Sequence, residues 1–234
     1  MSSTVVETRI PDQTNSSLRL HLSPAEFIDS DHERVRAKAR QAIGSVSNPT
    51  EQASLLYRTV RDEIRYDPYV DYTDPEIYRA SSVLAKGHGY CVGEASLYVA
   101  LCRATGIPAR LGLADVKNHL ATPRLLEAVG TDVFAYHGYV EVMPDRDWIK
   151  ATPTFNVSLC EKLGLPPLEF TGDRDALLQP FDAGGRAFMT YVAQHGTFFD
   201  VPAKFLMSEM ARLYPKLCQP GGLRGNMEQE GARR

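Results

Sequence analysis

The run over residues 91–102, CVGEASLYVALC, limits most strongly how this chain can fold. At 3.6 residues per turn its apolar side chains fall on nearly every face of a helix. Such a helix has no side to show to water, so it belongs at the centre of a domain, wrapped by other elements. The loop Lys86-Gly87-His88-Gly89-Tyr90 leads into it. Thr105-Gly106-Ile107-Pro108 stops it, with glycine where a left-handed residue is wanted and proline just beyond. A chain of 234 residues can build one sizeable core around this helix.

The flanking sequence supplies the wrapping. Residues 1–22 alternate loosely, which predicts one or two strands around a polar turn at 13–17. Ser23-Pro24 predicts a short helix, and residues 32–43 a longer one ending at Gly44. Thr50 can cap a helix over 51–64, whose Leu55, Leu56, Val60 and Ile64 recur at helical spacing, and Asp74-Pro75 opens another. After the central helix come strand-like stretches at 109–114, 132–143 and 148–151. The second alternates Phe134, Tyr136, Gly138, Val140 and Val142. A helix is expected at 122–129, loop at 166–180 and a last helix at 198–214. Residues 1–218 thus read as one domain, and the glycine-rich, polar stretch 219–234 as a flexible tail.

Charge and cysteine usage remove several function classes. A net charge of −3 gives no pull toward nucleic acid or anionic lipid. No apolar run approaches the roughly 20 residues of a membrane helix, and the N-terminal residues lack the pattern of a secretory signal. Cys91, Cys102, Cys160 and Cys218 form no CxxC pair and are too scattered for a disulfide scaffold. Free thiols and a cytoplasmic location follow. Nothing in the sequence calls for a cofactor or a metal.

Cysteine at the start of a helix, with histidine on a following strand, is a chemically meaningful order. A free thiol ionises only near pH 8.5. Unpaired N–H groups and the helix dipole favour the thiolate at a helix start, and a neighbouring imidazolium favours it further. Cys91 is therefore the candidate nucleophile and His137 the candidate base, able to rest as an ion pair. N–H groups around Cys91 could hold an oxyanion.

Three runs carry a resemblance to a known family: Gly87-His88-Gly89-Tyr90-Cys91, then residues 101–110 (LCRATGIPAR), then His137-Gly138-Tyr139-Val140-Glu141-Val142. With Val60–Tyr66 upstream (VRDEIRY), this stretch of about residues 50–156 resembles the transglutaminase-like superfamily. That resemblance implies an α+β, papain-like core with a central helix packed on an antiparallel sheet. It also implies Cys91 and His137 as the catalytic pair. The family's third member is usually an aspartate, where this chain reads Trp148-Ile149-Lys150-Ala151-Thr152-Pro153-Thr154. Thr152 holds that position without a charge, and Asn156, four residues on, is the alternative, as in papain-like enzymes.

Tyr90 and His88 are candidates for lining a substrate groove, because loops beside nucleophiles commonly do. Asp115 and His119, four apart, could pair on one helical turn. Cys102 is read as core, and Glu94 as a first-turn acid facing the helix dipole. The expected activity is acyl transfer on a peptide, protein or small amide. Hydrolysis is favoured over cross-linking, since water is the default acceptor and no amine pocket can be read. The rival is a non-catalytic binding or scaffold module whose third position has drifted to threonine.

Overall fold

The computed structural model describes residues 18–119, 121–177, 189–219, 223 and 225–231; the strand expected before the turn at 13–17 lies outside these, while residues 18–20, expected to be extended after that turn, are helical. Helix α1 (Glu33–Ile43) starts where the His32 side chain accepts from the Arg34 N–H, and it ends at Gly44. Helix α2 (Pro49–Glu63) is capped by Asn48, which accepts from the Glu51 N–H, two residues before the expected cap. Proline at the first helical position gives up no needed donor. Strand β1 (Arg65–Tyr66) follows, then a 3-10 turn at Pro75–Ile77, helix α3 (Ala80–Lys86) and strand β2 (His88–Gly89), which pairs in parallel with β1. The helix expected from Asp74-Pro75 is only that single turn. The one expected at Ser23-Pro24 does not form, because the Ser23 hydroxyl donates back to the Arg19 carbonyl instead of capping forward.

Helix α4 (Cys91–Ala104) is buried from Cys91 through Arg103, as its all-round apolar sequence requires. Helices α1, α2 and α3 pack around it on one side, and strands β3 (Ala109–Asn118) and β4 (Val133–Val142) on the other. The sheet is antiparallel and ordered β5–β4–β3–β6, with β5 at Ile149–Ala151 and β6 at Met189–Phe198. Arg103 ties the far end of α4 in place. Its buried guanidinium donates to the carbonyls of Ser23, Ala109 and Phe199 at 2.9, 3.0 and 2.6 Å. Such charge-assisted bonds compensate for removing the cation from water.

Helix α5 (Pro123–Val129) lies between β3 and β4 as expected, capped by the Thr122 hydroxyl. Helix α6 (Val157–Leu163) follows β5, and α7 (Ala203–Leu213) follows β6. Two expectations need correction here. Strand β3 runs to Asn118 instead of ending at Ala114, and the helix expected from residue 198 starts at Ala203 because Phe198 closes β6. Within the stretch read as a tail, Met227–Gly231 forms a short helix, α8, with Met227 buried. A central helix on an antiparallel sheet, with further helices before and after, is the α+β papain-like architecture that the resemblance implies. Among the described residues no helix is long and apolar enough to cross a membrane.

Candidate active site

Cys91 is the first residue of α4, and Tyr90 before it caps with extended backbone and no side-chain hydrogen bond. The first-turn N–H groups therefore lack a capping acceptor. The N–H groups of Gly138, Val92 and Cys91 itself surround the Cys91 sulfur and favour its thiolate. The first of these comes from β4. It is available to the thiol because β5 pairs with β4 only over Val140–Val142. A Cβ on Gly138 would stand 2.8 Å from Val92 Cα and 2.9 Å from the Cys91 carbonyl oxygen. Only glycine lets the strand lie this close to the helix start.

His137 immediately precedes Gly138 on β4. Cys91, His137 and Tyr90 line one narrow cavity of about 50 Å³. Tyr66, Tyr72 and Phe155 form part of its wall, and none of its described lining side chains is charged.

Burial dominates the electrostatics of the pair. The thiol is pushed up to about 12, since desolvation outweighs the three N–H donors. Burial alone lowers His137 to about 4. The expected ion pair is thus not the resting state: near neutral pH both groups are uncharged. A helix N-terminus is worth about 1 kcal/mol to an anion, too little to offset the desolvation of two buried charges. Glu94 follows the same logic. It is 1% exposed, with burial raising its pKa well above the usual carboxylate range against a smaller opposing effect of the Thr154 hydroxyl. It stands in the first turn of α4, as expected, and there burial favours its neutral form.

A pH prediction follows from His137. The unfolded chain takes up this proton near 6.5 and the folded chain only near 4. Stability from the neutral, buried imidazole is therefore complete above 6.5 and is lost as pH falls toward 4. Urea melts at pH 7 and pH 4 should show the wild type losing roughly 3 kcal/mol more than a His137→Asn variant. Equal losses in the two proteins would place the imidazole in a solvated setting.

The hydrogen bonds of the two candidates for the third position run to other groups. Thr152 is fully buried, and its hydroxyl lies 3.2 Å from the Tyr191 hydroxyl. Asn156 accepts from the Tyr66 N–H at 3.2 Å and donates to the Ser158 hydroxyl at 2.7 Å, holding β1 and the start of α6. His137 Nε2 is buried and meets no hydrogen-bond partner among the described residues. His88 faces a different cavity, with Nδ1 3.4 Å from an Asp67 oxygen. Asp115 lies within β3 and binds His195 at 2.7 Å, while His119 lies 3.4 Å from the Thr190 hydroxyl, so the helical Asp115–His119 pairing does not occur. Cys102 is wholly buried, as expected.

Sequence reasoning missed Tyr191. Its ring stands edge-on to His137 at 6.1 Å, and its hydroxyl reaches Thr152. The available signal was the short β-prone run Thr190-Tyr191-Val192.

The sequence profile of the transglutaminase-like superfamily matches residues 36–153, just over half of the chain. Comparison with curated proteins finds no match. Among solved structures, one from Cytophaga hutchinsonii, provisionally described as a cysteine protease, is similar at 18% identity with a TM-score of 0.46. The alignment covers 83% of this chain and 57% of that one. Another, from Parabacteroides distasonis and provisionally described as a protease, is 15% identical with a TM-score of 0.36. It aligns over 59% of this chain and 26% of its own. The chain thus spans little more than half of the first and about a quarter of the second.

Proposed function

This chain belongs to the transglutaminase-like superfamily, and from that membership we propose that it is a thiol enzyme performing acyl transfer on an amide. One observation supports the reading above the others. The Cys91 sulfur sits among three backbone N–H groups at a helix start and shares a cavity with the His137 imidazole. In this mechanism His137 takes the thiol proton as sulfur attacks the amide carbonyl carbon. N–H groups of the first turn of α4 stabilise the oxyanion. Collapse breaks the C–N bond, and His137 returns the proton to the leaving amine, which leaves a thioester on Cys91. Water, or a second amine, then attacks that thioester. Hydrolysis of a peptide or small amide is the favoured outcome. The uncharged, aromatic wall suits an uncharged acyl group. The four free cysteines suit a reducing compartment, and hence the cytoplasm.

The non-catalytic module remains the rival, because Thr152 brings no charge and His137 Nε2 meets no orienting acceptor among the described residues. A simple alkylating agent separates the two readings poorly, since the buried thiol is neutral at rest. An acyl donor separates them well. With p-nitrophenyl acetate at neutral pH, a stoichiometric burst of p-nitrophenolate is expected, with the acetyl group found on Cys91 by mass spectrometry. Acetylation of Cys91 no faster than that of a free thiol would leave the scaffold reading standing.

A further inference from the structure

Strand β4 departs from regular geometry one residue before the candidate base. Ala114 pairs with His137 but Val116 pairs with Phe134, so Ala135 and Tyr136 together oppose the single residue Asp115. Tyr136 adopts φ 58°, a left-handed conformation that costs a residue with a Cβ on the order of 1 kcal/mol or more. The neighbour on the other side of β3 is also bulged. Gly112 pairs with Thr197 and Ala114 with Gln194, and the extra residue falls beside Gly196, which takes φ 85° as glycine readily does. Asp115 lies between these two irregularities, and one carboxylate oxygen serves both. Its Oδ1 accepts from the Tyr136 N–H at 3.0 Å and contacts His195 Nε2 at 2.7 Å. The Tyr136 ring completes the clamp, stacking on His195 at 4.7 Å and meeting Phe205 edge-on at 5.3 Å, while its hydroxyl donates to Glu209 at 3.1 Å.

A bulge of this kind re-aims the side chain that follows it. His137 is the first residue of β4 after the bulge, and from its pair with Ala114 onward the register is regular, so the bulge fixes where the candidate base enters the ladder. We propose that Asp115 is a positioning residue for His137: its carboxylate, locked to His195, holds Tyr136 in the strained bulge and so fixes the backbone that carries the imidazole beside the Cys91 cavity. This rests on the reading of His137 as the base. The strain is held at Tyr136 by a side chain from the neighbouring strand, which is how such conformations persist beside reactive groups.

The test uses the full-length chain and p-nitrophenyl acetate. Asp115→Ala should lower the limiting acetylation rate of Cys91 about 10- to 100-fold, with the half-saturating ester concentration unchanged. Asp115→Asn should stay within about threefold of wild type, because its amide oxygen can accept both bonds that Oδ1 accepts now. His195→Phe keeps a ring over Tyr136 but removes the lock. It should fall between the two, and it serves if Asp115→Ala does not fold. His137→Ala controls for the underlying reading. If it acetylates at the wild-type rate, the base assignment itself fails. If His137→Ala is slow while Asp115→Ala or His195→Phe reacts like wild type, the positioning role alone is wrong. Equal losses in Asp115→Ala and Asp115→Asn would also overturn it.

Discussion

A Cys91→Ala variant is expected to fold and to form no acyl-enzyme at all. The sulfur is the only proposed nucleophile, and the other cysteines offer no substitute. Cys102, Cys160 and Cys218 all lie outside the lining of the cavity that Cys91 shares with His137. Removing the sulfur also takes the acceptor from the Gly138 N–H, and a buried donor left unsatisfied costs about 1–3 kcal/mol. Cys91→Ser separates the two effects. Its hydroxyl can accept the same N–H groups and recover most of that stability, yet a neutral imidazole at about 4 is a poor base for an alcohol. Mass spectrometry after exposure to p-nitrophenyl acetate should find neither variant acetylated at position 91, with the alanine variant melting earlier. An unchanged p-nitrophenolate burst from Cys91→Ala would remove the thiol from the mechanism.

The second large effect is expected at Gly138. A methyl group there meets backbone, not the end of a flexible side chain: Val92 Cα at 2.8 Å, the Cys91 carbonyl oxygen at 2.9 Å and the Val92 nitrogen at 3.0 Å. The first turn of α4 is buried and cannot swing away cheaply, so Gly138→Ala should cost about 1–3 kcal/mol of stability as overpacking does. It should also push β4 off the helix start, lengthening the bond from the Gly138 N–H to the thiol and displacing His137. A misplacement of about 1 Å can lower a rate about 10²-fold. The two effects are measurable separately, by urea unfolding and by the acetylation rate under conditions where the variant is folded. A folded Gly138→Ala protein with wild-type acetylation would show that this contact does not set the geometry of the pair.

Much of this site was legible because its signals are local. Apolar residues on every face of α4 require burial whatever surrounds them, and Cys91 at its start follows from the glycine-bearing loop. The stop at Gly106, which takes φ 84°, and the caps at His32 and Thr122 depend on neighbouring residues alone. Strand β6 was not legible. It is an edge strand, largely exposed apart from Met189, and its identity rests on hydrogen bonds to β3 more than on an alternating pattern. Tyr191 and His195 disappeared from view with it, and Asp115, read beside His119, meets His195 only across that pairing.

Charge state was the other quantity the sequence could not fix. Read locally, a cysteine and a glutamate in the first turn of a helix both favour the anion, and a nearby histidine favours the thiolate further. Desolvation depends on everything packed around a group, and here it overrides those terms, leaving Cys91, His137 and Glu94 neutral. Short-range order along the chain thus determined the central helix, the position of the thiol and the strand that carries the imidazole. The tertiary structure decided the backbone from which that imidazole springs, next to a bulge held from the neighbouring strand. It also decided the protonation of the pair, because burial is a property of the whole fold and not of any segment.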